Sequence, residues 1–309
     1  MQKRPLKIIL VEPRGFCAGV KRALDVVDFV LKTYPPPVYV YHEIVHNSYI
    51  LQVLRERGVI FTDDITTIPE KSVCIYSAHG VSEGLEVQAS QRRLITIDAT
   101  CPLVKKVHKI LKEYDALGRK IVFIGHRNHP EVIGAIGRVR SDVFVVQSPE
   151  EVADLPLQST DEIGYISQTT MSIDDTRTIV DALRKRFINS IGGAGICYAT
   201  RNRQSALKNI LRDVQCVFIL GSKNSSNSNR LCEIVKGSGV FVHLIDTESE
   251  IELEWFDGIQ TLGITAGASA PDILVERVVD FCQKTFNVLS ITACKGVIEN
   301  VEFALPKCI

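Results

Sequence analysis

The chain repeats one pattern three times, and that pattern restricts it to alternating α/β architecture with parallel sheets. Each copy opens on an apolar strand-like run, continues into a loop with a cysteine, and ends in an amphipathic stretch. The copies are LKIILVEPRGFCAGVKRALDVVDFVLK, LITIDATCPLVKKVHKILKEY and GAGICYATRNRQSALKNILRD. Val20, Leu24, Val27 and Leu31 recur at helical spacing in the first copy, and Leu103, Val107, Ile110 and Tyr114 in the second. Strand runs that alternate with helical patterns read as βαβ units, whose strands pair in parallel.

Two more strand–loop–helix motifs follow each cysteine. The first set is PVYVYHEIVHNSYILQVLRERG, KIVFIGHRNHPEVIGAIG and CVFILGSKNSSNSNRLCEIVKGSG. Its loops carry His46-Asn47, His129-Pro130-Glu131 and Ser225-Ser226-Asn227. The second set is SVCIYSAHGVSEGLEVQA, EIGYISQTTMSIDDTRTIVDALRKR and TLGITAGASAPDILVERVVDF, with His79-Gly80, Thr169-Thr170 and Ser269-Ala270-Pro271 in its loops. The spacings agree: 29 residues from Cys17 to His46, 28 from Cys101 to His129 and 28 from Cys197 to Ser225. A triplicated unit of roughly 90 residues is the economical reading. It predicts a first α/β repeat over 18–100, a second over 101–196, and a third over 197–282 that takes in the N-terminal strand 1–17. A C-terminal extension then covers 283–309. Loops that follow parallel strands open at the carboxyl edge of a sheet, where ligands bind. Three units about a pseudo-threefold axis would turn nine such loops towards one cavity, and three of them would each bring a cysteine.

Composition narrows the partners. Of 309 residues, 45% are hydrophobic and 23% charged, and 36 basic residues balance 36 acidic ones. A chain with no net charge has no global field to draw nucleic acid or an acidic membrane. The N-terminal apolar run, Ile8 to Val11, is too short for a secretory segment. Nothing approaches the ~20 apolar residues of a membrane span, so a cytosolic, cytoplasmic location is expected. In such a compartment nine cysteines do not form a disulfide framework. Cys74, Cys216, Cys232 and Cys282 lie in or beside apolar runs and read as small buried hydrophobes. Cys294 and Cys308, in the extension, read as incidental.

Cys17, Cys101 and Cys197 differ because they share one slot of the repeat. Pro102 directly after Cys101 suits the first helical position, which makes Cys101 a helix cap. Free amides at a helix start favour thiolate. Arg14, Lys21 and Arg22 near Cys17, with Arg201 and Arg203 near Cys197, would add positive potential if they face inward. Three thiolates from separate loops suit zinc or an iron–sulfur cluster. Structural zinc takes four ligands, often from local C-x-x-C pairs, and the chain has none. A cubane cluster normally takes four cysteines; with three, one iron is left open to act as a Lewis acid. The other loops suit an anion. The serine- and asparagine-rich GSKNSSNSNR opens a helix, helix starts bind phosphate, and His46, His79 and His129 add donors. Glu131 reads either as an acid that stabilises the helix dipole or as a proton donor whose pKa neighbouring anions raise. Thr169 reads as a capping residue or a hydroxyl relay.

At this point the chain resembles the 4-hydroxy-3-methylbut-2-enyl diphosphate reductase family, the last enzymes of the methylerythritol phosphate route to isoprenoids. The stretches that carry the resemblance are PRGFCAGV, HEIVHN, SAHG, DATCPLV, GHRNHPEV, SQTTMS, CYATRNRQ, GSKNSSNSNRL and ITAGASAPD, spread over residues 10–282. The resemblance implies three α/β domains in a cloverleaf around a central cluster. It implies one 4Fe-4S cluster on Cys17, Cys101 and Cys197. It implies that His46, His79, His129, Ser225, Ser226, Asn227 and Ser269 bind the diphosphate of a small allylic substrate, with Thr169 beside the substrate hydroxyl. Glu131 would deliver protons, and products would be isopentenyl and dimethylallyl diphosphate. The chain has no G-x-G-x-x-G fingerprint, so a ferredoxin- or flavodoxin-like partner is the expected electron donor. Two other readings compete: a redox-neutral iron–sulfur hydro-lyase and a phosphate-ligand sensor with a structural metal.

Overall fold

The structure is a computed structural model and describes residues 3–193 and 195–306. The chain begins β1 (Pro5–Glu12), α1 (Ala18–Thr33), β2 (Val38–Tyr41), α2 (Ser48–Glu56), β3 (Val59–Thr62), β4 (Val73–Tyr76), α3 (Glu83–Gln91), β5 (Ile95–Asp98). It continues α4 (Pro102–Ala116), β6 (Lys120–Ile124), α5 (Pro130–Ile136), β7 (Val143–Val146), α6 (Pro149–Ala153), β8 (Ile163–Ser167), α7 (Ile173–Arg186), β9 (Ser190–Gly193). It ends α8 (Tyr198–Lys208), β10 (Cys216–Leu220), α9 (Ser226–Lys236), β11 (Phe241–Ile245), β12 (Thr261–Ala266), α10 (Asp272–Thr285), β13 (Asn287–Lys295).

The strands form three parallel sheets with orders β3-β2-β4-β5, β7-β6-β8-β9 and β11-β10-β12-β1-β13. One plan recurs: two buried central strands, a flanking strand on one side, and on the other the strand that leads to a cysteine. Those last strands are β5, β9 and β1. The N-terminal strand therefore completes the third sheet, and β13 adds a fifth position by pairing with β1 from Pro5 to Glu12. The central strands β4, β6, β8 and β10 read VCIY, KIVFI, IGYIS and CVFIL and are buried along almost their whole length. Parallel strands covered on both faces need such unbroken apolar runs. The cores follow the sheets. Phe218, Ile264, Leu274 and Val278 pack on one face of the five-stranded sheet, and Val217, Ile219, Leu207 and Leu231 form a separate cluster.

Two compact units contain these sheets. One comprises the N-terminal segment through Ala18, His46–Val53 and Tyr198–Val301; the other comprises Gly19–Val45, Leu54–Cys197 and the segment from Glu302. The five-stranded sheet belongs to the first unit and the two four-stranded sheets to the second.

Helix orientation departs from the sequence reading. The buried face of α1 is Arg22, Ala23, Val26, Val27 and Val30, and that of α4 is Val104, Val107, His108 and Leu111. Only Val27 and Val107 of the expected stripes are fully buried. The centre of each face is taken by residues next to the expected ones, Ala23, Val26 and Val30 on α1 and Val104, His108 and Leu111 on α4. Leu24, Leu31, Ile110 and Tyr114 move to the half-buried margins. Cys74, Cys216, Cys232 and Cys282 lie in the core as expected. Cys294 is half-buried on β13, and Cys308 lies outside the described residues.

Candidate active site

The second unit places five of the expected residues in one continuous group. His129 is the N-cap of α5, and its Nδ1 accepts the N–H of Glu131 at 3.1 Å. That bond fixes the tautomer: Nδ1 is bare, and Nε2 carries the proton as a donor. Glu131 stands in the first turn of α5 but is only 2% exposed. Both its oxygens accept from Thr169, Oε1 from the N–H at 2.7 Å and Oε2 from the Oγ1 hydroxyl at 2.8 Å. Burial pushes the Glu131 carboxyl up to about 7, against the lowering effect of those two bonds. Removal from water, rather than neighbouring anions, is the cause. The Thr169 carbonyl in turn accepts the N–H of Cys197 at 3.0 Å. The His79 ring meets the His129 ring edge to face, with centroids 5.7 Å apart, and its Nδ1 lies 3.3 Å from Ser77 Oγ. Thr169 is not a cap, because Ser172 caps α7 through its hydroxyl.

The first unit gathers the remaining anion-type loops. Ser225 caps α9 and accepts the Ser228 N–H and hydroxyl at 3.4 and 3.1 Å. Ser226 and Asn227 open that helix. The Ser269 hydroxyl donates to the His46 carbonyl at 2.8 Å, which joins two expected substrate loops. Asn227 is 5% exposed, and neither its amide oxygen nor its nitrogen has a partner among the described residues. An unmet buried polar group costs about 1–3 kcal/mol, so this carboxamide is suited to a polar ligand.

The three cysteines share one local geometry. Cys17, Cys101 and Cys197 each immediately precede a helix, α1, α4 and α8. Each donates its N–H to the loop after the neighbouring central strand: Cys17 to Ala268 (3.2 Å), Cys101 to Ala78 (3.0 Å), Cys197 to Thr169 (3.0 Å). None of the three is in a disulfide and all are half-buried, whereas burial pushes the thiols of Cys74, Cys216, Cys232 and Cys282 up to about 12. Soft thiols at helix starts have the donor chemistry an iron–sulfur cluster needs. Among the described residues no three His, Cys, Asp or Glu side chains meet around a single ion. A cubane instead spreads its thiolates over different irons.

The nearby cations divide between the surface and the interior. Arg14 pairs with Glu12 and Asp272, and Lys21 with Asp25, at the surface. Arg22 and Arg203 are buried: Arg22 spends its guanidinium donors on backbone carbonyls, and Arg203 divides its own between backbone carbonyls and the Glu299 carboxylate. Arg201 is exposed.

Sequence reasoning passed over His108 and named Asn47 only as part of the His46 loop, with no role. His108 lies on the buried face of α4, where burial first and then the Arg138 charge push its imidazole down to about 4. Its ring edge lies under the His79 turn: a Cβ on Gly80 (φ +77°) would sit 2.7 Å from His108 Cε1. From the other side, a Cβ on Gly134 of α5 would sit 2.8 Å from the Gly80 carbonyl oxygen. The His79 turn is thus gripped between α4 and α5. Asn47 is buried, with Oδ1 accepting the Ile50 N–H at 3.0 Å and Nδ2 without a partner among the described residues. One residue along from His46, it carried no periodic signal of its own.

Polar and sulfur-bearing loops at the carboxyl edges of repeated parallel sheets define an α/β protein of the ligand-binding class. Comparison with known proteins specifies it further. The LytB protein family model matches residues 8–283, and the chain belongs to that family. It is 47% identical over 308 residues to the 4-hydroxy-3-methylbut-2-enyl diphosphate reductase of Wigglesworthia glossinidia brevipalpis, covering 98% of each chain. It is 48% identical over 309 residues to that of Wolbachia sp. subsp. Brugia malayi (strain TRS), covering 98% of this chain and 100% of the relative. Among solved structures, the E-1-hydroxy-2-methyl-but-2-enyl-4-diphosphate reductase of Plasmodium falciparum superimposes with a TM-score of 0.95 at 34% identity, over 98% of this chain and 96% of that one. No helix among the described residues is long and apolar enough to cross a membrane.

Proposed function

We propose that the chain reduces 4-hydroxy-3-methylbut-2-enyl diphosphate to isopentenyl and dimethylallyl diphosphate, the terminal step of the non-mevalonate route. The reading is supported by family membership and by near-full-length similarity to reductases of that name. The observation that carries it is the bonding of Thr169. Its amide and hydroxyl hold a carboxyl of raised pKa, and its carbonyl holds the loop of a candidate ligand cysteine. Proton source and metal ligand are therefore tied to one residue.

Replacing an allylic C–OH by C–H consumes two electrons and two protons and releases water. A 4Fe-4S cluster on Cys17, Cys101 and Cys197 would supply an iron lacking a cysteine, as Lewis acid, together with the two electrons. The electrons come from a ferredoxin- or flavodoxin-like donor. His46, His79, Ser225, Ser226, Asn227 and Ser269 bind the diphosphate, and the carboxamide of Asn227 gains partners there. His129 offers its Nε2–H. Glu131, protonated at Oε2 below about pH 7, donates to Thr169 Oγ1, whose own hydroxyl proton passes to the leaving oxygen. That oxygen departs as water and the allyl fragment takes a second proton at either end. Holding the diphosphate at several points lowers the barrier by orientation.

Anaerobically purified protein should be brown, with about four irons and four sulfides per chain. With dithionite and a viologen it should consume the allylic hydroxy-diphosphate and form both isomeric products. Turnover without reductant would instead indicate a hydro-lyase, and no turnover with a full cluster would remove the reading.

A further inference from the structure

The segment after β13 lies beyond the matched family region, which ends at residue 283, and the activity described above gives it no role. In the structure it is tied to two buried arginines. Arg203, on α8, is 1% exposed. Its guanidinium donates to the Gly15 carbonyl at 2.7 Å, two residues before Cys17, and to both Glu299 oxygens at 3.0 and 3.3 Å. Asn202 also donates to Glu299, at 3.1 Å. Arg22, on α1, is 5% exposed. It donates to the Ala99 and Thr100 carbonyls at 3.1 Å each, just before Cys101, and to the Ala304 carbonyl at 2.7 Å.

The two arrangements match. Each arginine sits on the helix that follows one cysteine and grips the backbone two residues before another. Each takes a further partner from the C-terminal tail, and Arg203 also donates to the Ala199 carbonyl on its own helix at 3.0 Å. A buried guanidinium needs nearly all its donors met. Without Glu299, Arg203 keeps only carbonyls to offset its charge, and without Ala304, Arg22 loses its Nε partner. Gly296 brings the tail onto the loop before Cys17: its N–H donates to the Glu12 carbonyl at 2.8 Å, and a Cβ there would meet that oxygen at 2.6 Å.

We propose that Arg203 with Glu299, and Arg22 with the Ala304 carbonyl, are positioning devices through which the C-terminal tail holds the Cys17 and Cys101 loops in place for the cluster. The inference rests on the ligand assignment above, but its test separates the two. The probe is iodoacetamide, with alkylation of each thiol followed by mass spectrometry in the cluster-free full chain. Glu299→Gln should speed alkylation of Cys17 about tenfold, the loss of roughly one charge-assisted bond, and leave Cys101 and Cys197 near wild-type rates. Deleting residues 303–309 should do the same for Cys101 and not for Cys17. Cys74 and Cys216 report global loosening and should stay unreactive in both variants. Unchanged Cys17 and Cys101 rates, or a uniform rise at every thiol, would overturn the proposal. After reconstitution with iron and sulfide, both variants should also lose iron to a chelator faster than wild type. A wild-type chain that takes up no cluster would instead defeat the ligand assignment and leave the thiol result to be judged on its own.

Discussion

Glu131 is under opposing influences, and their balance sets its pH behaviour. Burial raises its carboxyl from the ordinary range to about 7, while the Thr169 bonds stabilise the charged form. A carboxyl raised in the folded state costs nothing below its unfolded pKa, where both states are protonated. Above the folded value the native state must hold a buried charge. Stability should therefore fall as pH rises from about 4.5 to about 7, by about 3 kcal/mol for this one group. Glu131→Gln removes the titration and keeps the shape, and the Thr169 hydroxyl can turn to accept from the new amide. Urea unfolding at a series of pH values should show the decline in wild type and not in the variant. Turnover in the variant should drop by about 10²–10⁴-fold with diphosphate affinity retained; equal turnover would remove Glu131 from the proton path. Asn227 gives a second residue-scale prediction with opposite signs for stability and binding. Its unmet amide is a cost in the free protein, so Asn227→Ala should leave the melting temperature equal or higher. The same change should weaken binding of inorganic diphosphate by about tenfold, one or two hydrogen bonds, as measured by calorimetry.

At the scale of elements, the sequence showed strand positions and loop contents better than helix orientation. Central strands such as CVFIL and KIVFI are unambiguous because burial on both faces leaves no room for polar residues. Cys101 before Pro102, and His129 before Pro130, announced helix starts that the structure keeps. The buried stripes of α1 and α4 were misread because large apolar residues also line the margins of a helix on a sheet. His108 was passed over for the related reason that a lone histidine in an amphipathic run looks like part of the polar face. The close approach of α5 to the His79 turn leaves only two glycines, Gly80 and Gly134, as its trace. A Cβ at position 134 meets backbone, which cannot swing aside as a side chain can. Gly134→Ala should therefore cost about 1–3 kcal/mol and push the His79 turn off α5. A thermal melt checks the first consequence. A raised KM for the diphosphate substrate, with the Glu131 pH dependence unchanged, checks the second. An unchanged KM would mean that His79 does not depend on this contact.

At the scale of the whole molecule, the repeat was legible because polar loops recur at matched places in the three copies even where their side chains differ. The recurring strand order shows what the spacings measured: each cysteine follows the strand beside the second central strand of its sheet. What stayed hidden was the tail, since Glu299 and Ala304 meet Arg203 and Arg22 across nearly a hundred and nearly three hundred residues of chain with no local pattern. The same organisation sorts the cysteines into classes that iron content can test. Cys17, Cys101 and Cys197 are half-buried before helices, whereas Cys74, Cys216, Cys232 and Cys282 are core residues with thiols pushed up to about 12. A thiol that resists ionisation to that degree is a poor ligand, since metal binding requires thiolate. Replacing any one of the first three by serine should sharply reduce iron and sulfide per chain after anaerobic purification. Replacing a core cysteine by alanine should lower the melting temperature by a few degrees, a cost of about 1 kcal/mol, and leave both contents as they were. The comparison is informative in either direction, because a core variant that lost as much iron as Cys101→Ser would show that cluster retention follows overall stability rather than these three loops.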